Sequence, residues 1–224
     1  MKYKMYLLHI GDLSEISLQE AALMLVDDYR QELVHKVKKE KDRMRAIAAG
    51  LLLQAGFMEL DIGRDYTVDI ETAEIGSAED VVGTCKIVSA MELLHSLKEI
   101  GKIPLQYDFG IHGKPSWNYN KLKSLLPDKN LWHFNLSHSD EYVVLLVADC
   151  EVGVDIQKAR KADRFPGGYQ AFSRMESYVK CTGEGYAAGY KMYEQCCGKI
   201  PGYAIMCLKG IEGYAWHMCF ELRV

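Results

Sequence analysis

Two periods of apolar spacing run through the chain. Residues 3–10, YKMYLLHI, form an apolar run that predicts an opening strand. Ser17 and Glu20 have the Ser-x-x-Glu spacing of a capping box and predict a helix running to about Tyr29. From about Lys41, Met44, Ile47, Ala48, Leu51 and Leu52 recur at i, i+3, i+4, i+7 and i+8, one apolar face of a second helix with Gly56 as its stop. Ser89 and Glu92 repeat the capping-box spacing before a helix that ends at Gly101.

Alternation replaces the helical period in the second half. Tyr142 to Val147 is an unbroken apolar, β-branched run and predicts a buried strand. Val152-Gly153-Val154-Asp155-Ile156-Gln157 alternates strictly, so Val152, Val154 and Ile156 face a core while Gly153, Asp155 and Gln157 share the other face. Both strands are assigned to one second-half sheet. Phe172 to Cys181 reads as a helix stopped by Gly183, and 203–208 with 214–224 as a hairpin. Pro104, Gly110, Gly113 and Pro115 mark a connection dividing 1–112 from 113–224. Helices and strands mix without regular βαβ alternation, which predicts the α+β class.

Composition narrows the function classes. The 224 residues are 49% hydrophobic and 26% charged, and 27 Lys+Arg against 31 Asp+Glu give −4, which argues against bulk nucleic-acid binding. No apolar run reaches the ~18–20 residues of a membrane span, and the first residues lack a signal-peptide pattern. The expected location is cytoplasmic. Seven cysteines without CxxC pairing predict reduced, mostly buried thiols. Charge is unevenly spread: residues 30–45 hold seven basic and three acidic side chains, whereas 59–80 hold eight acidic ones and Arg64, around a short strand at Val68/Ile70.

Four segments carry candidate chemistry. Asp155 with Gln157 two residues on suits a hard divalent cation, although a solvated strand face is the plainer reading. Glu176 and Lys180 are i, i+4 on one helix face, also the spacing of an ordinary surface ion pair. Ser137-His138-Ser139 offers short polar groups to an anion or forms a simple turn, and Gly113-Lys114-Pro115 is a turn by default. The spacing of His133 and His138 matches no common zinc pattern.

Taken in order, Gly-Lys-Pro (113–115), Asn-Leu-Ser-His-Ser (135–139), Gly-Val-Asp-Ile-Gln (153–157) and Met-Glu-Ser-Tyr-Val-Lys (175–180), followed by Gly-Glu-Gly, resemble the 4′-phosphopantetheinyl transferases. The likeness is to the larger, monomeric type and covers about 41–185. It implies two similar subdomains about a pseudo-twofold axis. It also implies magnesium-dependent transfer of the phosphopantetheine arm of coenzyme A to a serine of an apo acyl or peptidyl carrier protein, releasing adenosine 3′,5′-bisphosphate. By the same resemblance Asp155, Gln157 and Glu176 hold Mg2+, and Glu176 is the base for the serine. Lys180 meets the pyrophosphate, Ser137 and His138 touch coenzyme phosphates, Lys114 and Pro115 form the adenine-side loop, and Arg45 meets the 3′-phosphate. Fatty-acid, polyketide and peptide synthesis all use such carriers.

Three positions depart from the family pattern. Gln157 stands where glutamate is frequent, and Met175 where a lysine precedes the glutamate. Asp155 and Glu176 are 21 residues apart, about half the family's usual distance, which predicts an interruption of the numbering somewhere in 158–170. Lys158, Arg160, Lys161 and Arg164 predict a basic surface for an acidic carrier. A catalytically impaired binder of coenzyme A or carrier, and an unrelated magnesium phosphohydrolase, are the rival readings.

Overall fold

The computed structural model describes residues 1–66, 70–72, 82–123, 132–159, 165–196 and 199–222, with the side chains of 66, 70–72 and 82 left aside. In chain order the elements are β1 (Lys2–His9), a 3-10 turn (Ile10–Leu13), α1 (Ile16–Leu23), α2 (Asp28–Lys36), α3 (Glu40–Met58), β2 (Arg64–Tyr66), β3 (Ile70–Thr72), β4 (Val82–Val88) and α4 (Ala90–Ile100). There follow β5 (Tyr107–Phe109), β6 (Pro115–Trp117), α5 (Tyr119–Leu122), β7 (His133–Ser139), β8 (Tyr142–Ala148), β9 (Val152–Lys158), α6 (Gly168–Thr182), α7 (Tyr186–Gln195), β10 (Tyr203–Leu208) and β11 (Tyr214–Glu221). The class is α+β, and no described helix is long and apolar enough to cross a membrane.

Two sheets lie face to face. The first runs β2-β4-β1-β8-β7 and the second β3-β10-β11-β9, with β5 and β6 forming a separate hairpin. Alternation along β1 and β8 divides their side chains. Met5, Leu7, Val144 and Leu146 point to the second sheet, where they meet Val154, Ile156, Trp216 and Met218. Tyr6, Leu8, Leu145 and Val147 point outward to α3, whose Leu51, Leu52 and Ala55 cover them. On the far side, Met175, Val179 and Cys181 of α6 pack on Ile205 and Cys219. The order of layers is helix, sheet, sheet, helix.

Sequence and structure differ at instructive places. The strand at 142–148 and the Asp155 strand lie in different sheets, and both sheets take strands from either side of residue 112. The Ser17/Glu20 capping box does not form. α1 starts two residues earlier, with Glu15 in place of Ser17 as its N-cap, and ends at Leu23, because Asp27 opens α2 by accepting a hydrogen bond from the Arg30 N–H at 3.0 Å. Gly56 does not stop α3, which continues to Met58; a Cβ there would meet Leu145 Cδ2 at 2.4 Å, so the glycine marks close helix–sheet approach. Every residue of α3 from Ile47 to Phe57 is buried, so the apolar surface is not one stripe. The Ser89/Glu92 box, in contrast, forms in both directions at 3.1 Å. Val68 lies outside the described residues. Six cysteines are described and all are free thiols.

The edges β7 and β9 meet without a backbone ladder. Asn135 Oδ1 accepts from the Val154 N–H at 3.0 Å, Ser137 Oγ from Ile156 at 3.2 Å and Ser139 Oγ from Lys158 at 2.9 Å. Alternate short polar side chains of one edge thus satisfy alternate N–H groups of the other. This seam fixes β9, and with it Asp155, against the first sheet.

Candidate functional site

α6 lies directly on β9, because Gly153 has no side chain to hold it off. A Cβ on Gly153 would come within 2.0 Å of the Ser177 carbonyl oxygen and 2.4 Å of the Cys181 nitrogen. Ser173 Oγ also donates to the Asp155 carbonyl at 3.0 Å. Asp155 is therefore 1% exposed, so its strand face is covered rather than solvated. An acid this buried requires partners, and it has three. Lys180 Nζ donates to Asp155 Oδ1 at 2.5 Å, Ser137 Oγ donates to the same oxygen at 3.1 Å, and Gln157 Nε2 reaches Oδ2 at 3.1 Å.

Glu176 sits one helical turn before Lys180, on the same side of α6. Desolvation raises its pKa, the Asp155 charge adds to the rise, and Lys180 works against it. The two acids, distant in sequence, therefore share one electrostatic neighbourhood. Asp155 and Glu176 supply carboxylates and Gln157 an amide oxygen, a donor set that suits a hard divalent cation. The Lys180 ammonium on Asp155 already places positive charge there. Among the described residues no three His, Cys, Asp or Glu side chains form a metal-holding group; the set is two acids and an amide.

The remaining expected residues divide between two flanks. Ser137 spends its donor on Asp155 and accepts from both Ile156 N and Lys180 Nζ, the latter at 3.0 Å, so its three hydrogen-bonding positions are filled. His138 lies beside it, with its pKa lowered by desolvation and by the charges of Arg45 and Lys180. Arg45 pairs with Asp42 at 2.5 Å, and its Nε donates to the Asp140 carbonyl at 2.9 Å. Arg45 is thus the cation on this flank, and the lowered pKa of His138 favours its neutral imidazole. Lys114 and Pro115 lie on the other flank, lining a cavity of about 370 Å³ with Trp117, Tyr119, Trp132 and Phe134. Lys114 Nζ donates to the Cys181 carbonyl at 2.6 Å, one of the orphan carbonyls at the end of α6, where Gly183 terminates the helix at φ 69°.

Three features of the site were not anticipated. Glu151 pairs with Lys114 and, at 3.0 Å, with His133; burial pushes its pKa up, but these two partners outweigh that and hold it at about 2. The seam residues Asn135 and Ser139 have a period-2 spacing that was visible beforehand. Asp140, in the β7–β8 turn at φ 51°, holds both Lys41 of α3 and Lys158 of β9 and so joins the outer helix of one layer to the edge of the other. Lys158 and Lys41 keep the Asp140 pKa at about 2. Asp140→Asn is expected to lower stability by about 1 kcal/mol at neutral pH. Because the folded pKa is depressed, the difference should shrink as pH falls from about 4 towards 2, which urea unfolding at several pH values measures.

Met175 is fully buried against Ile205 and Cys219, which explains why no lysine stands there. The sequence runs without a gap over 1–224, so the expected interruption in 158–170 is absent and the 21-residue spacing of Asp155 and Glu176 is that of the chain itself; Arg160, Lys161 and Arg164 lie outside the described residues. A second cavity, about 830 Å³ and lined by Leu7, His9, Arg64 and Tyr142 among others, contains none of the expected site residues. The chain matches no model of a known protein family and no curated protein sequence.

Proposed function

We propose that the chain transfers the 4′-phosphopantetheine arm of coenzyme A to a serine of an apo carrier protein, releasing adenosine 3′,5′-bisphosphate. The observation that carries this reading is the buried Asp155 with Lys180 on its carboxylate and Glu176, of raised pKa, one turn away. Displacement at a pyrophosphate needs positioning, charge neutralisation and a proton acceptor, and these residues supply each. The serine oxygen attacks the phosphorus that bears the pantetheine arm. The bond from that phosphorus to the bridging oxygen breaks, and the electron pair leaves with the nucleotide.

Glu176 takes the serine proton; a carboxylate of raised pKa is the stronger base. Lys180 shifts from Asp155 to the departing phosphate. Asp155, Gln157 and Glu176 would hold Mg2+, which when bound neutralises phosphate charge. Arg45 gives the coenzyme phosphates a cation and His138 a neutral imidazole beside it, and the aromatic cavity behind Lys114 takes the base. The stacking of helix, sheet, sheet, helix supports two similar halves related by a pseudo-twofold axis. The enzyme acts as a cytoplasmic monomer on an acidic carrier surface that meets Lys158 and its neighbours.

Incubation with coenzyme A, Mg2+ and an apo carrier protein, read by mass spectrometry, tests the reading. A gain on the carrier equal to the phosphopantetheine arm is expected. Coenzyme binding without that gain would make the chain a binder, and release of free phosphate a hydrolase; either result refutes transfer.

A further inference from the structure

Glu151 has no part in the transfer step, yet it lines the aromatic cavity beside Lys114. We infer that the Glu151 carboxylate selects adenine by accepting a hydrogen bond from its 6-amino group. The inference rests on the coenzyme A reading above and names the specificity determinant of its base pocket.

The cavity walls include four aromatic side chains, which suits one flat heteroaromatic ring system held by stacking. An extended polar arm would make poor use of them. Lys114 occupies Glu151 Oε2 and His133 Nδ1 lies 3.0 Å from Oε1, which fixes the carboxylate in place. Each oxygen retains a further lone pair, so the group can accept one more hydrogen bond and can donate none. An exocyclic amine meets that requirement, whereas a carbonyl at the same ring position faces a negative charge. Adenine carries such an amine on a flat ring system.

Placement agrees with this chemistry. Lys114 bridges Glu151 and the Cys181 carbonyl, while the adjacent Lys180 reaches Asp155. Base cavity and phosphate site therefore share the last turn of α6, as a single nucleotide requires.

Calorimetric titration with adenosine 3′,5′-bisphosphate and inosine 3′,5′-bisphosphate tests the assignment, because the two differ in one amino-for-carbonyl exchange and its ring proton. Wild type should prefer the adenosine ligand by about 10–100-fold, the range for one hydrogen bond to a charged acceptor. Glu151→Gln, which can turn an N–H towards a carbonyl, should bring the ratio to within about threefold. His133→Gln leaves the carboxylate in place and should keep the preference. An unchanged ratio in Glu151→Gln, or equal weakening of both ligands, overturns the inference, as does loss of preference in His133→Gln. Wild type that binds coenzyme A and both nucleotides without preference overturns it alone. Wild type that binds neither coenzyme A nor the nucleotides overturns the coenzyme A reading with it.

Discussion

Glu176→Gln is expected to slow carrier modification by about 10²–10⁴-fold, the usual reach of a lost general base. The amide keeps the shape of the side chain and still offers an oxygen, so coenzyme A affinity should change far less than turnover. A single-turnover assay under saturating coenzyme A separates these effects. The acid limb of the wild-type pH–rate profile should also disappear, because the group that must lose its proton is gone. Stability gives an independent reading. Desolvation and the Asp155 charge raise the Glu176 pKa, so the native fold favours its protonated form. Its contribution is then fully present below the unfolded pKa and is lost as pH rises through the folded value. The amide pays no such cost. Glu176→Gln should match wild type in thermal unfolding near pH 4 and equal or exceed it near pH 7. Wild-type rates in the variant would remove Glu176 from the mechanism, and a lower Tm at pH 7 would contradict its electrostatic setting.

Some of this site was legible in the residues and some was not, for physical reasons. Strict alternation over 152–157 identified which β9 side chains enter the inter-sheet core, and they do so. The Ser89/Glu92 box was legible because both partners are local. Ser17/Glu20 has the same spacing and fails, because Glu15 takes the N-cap position and Ser17 lies inside α1, which ends at Leu23 ahead of the helix that Asp27 caps. Asp27 is fully buried and accepts the Tyr107 hydroxyl at 2.8 Å, a contact 80 residues away that no local pattern shows. Sheet membership failed for the same reason: β8 pairs with β1 over Tyr3–His9, which depends on the whole topology. Asp140 and Glu151 sit in connections whose partners come from other elements, so spacing along the chain carries no trace of them. Local spacing reads Gly56 as a helix stop and puts Gly153 on the strand face away from the core. Each marks the place where a helix touches a sheet.

Gly153→Ala should accordingly be among the most damaging single-methyl changes in the protein. The added Cβ would stand 2.0 Å from the Ser177 oxygen and 2.4 Å from the Cys181 nitrogen. Both are backbone atoms of α6, so no rotamer change relieves the overlap, and the helix itself must move. Overpacking of this kind costs about 1–3 kcal/mol, and more where the neighbour is rigid. Here α6 is fastened by Ser173 to the Asp155 carbonyl and by Lys114 to its last turn. Displacing it also moves Glu176 and Lys180 relative to Asp155, and an error of about 1 Å in such a site is worth about 100-fold in rate. Stability and turnover should therefore fall together in Gly153→Ala, although the glycine touches no reacting atom. Gly110→Ala is the control for stability: its Cβ would meet only the Lys114 carbonyl at 3.7 Å, and a change within about 0.5 kcal/mol is expected. Urea unfolding of both variants, with amide exchange across 168–182, measures the contrast. Wild-type stability and protection in Gly153→Ala would mean that α6 does not rest on β9, and the pairing of Asp155 with Lys180 would fall with it.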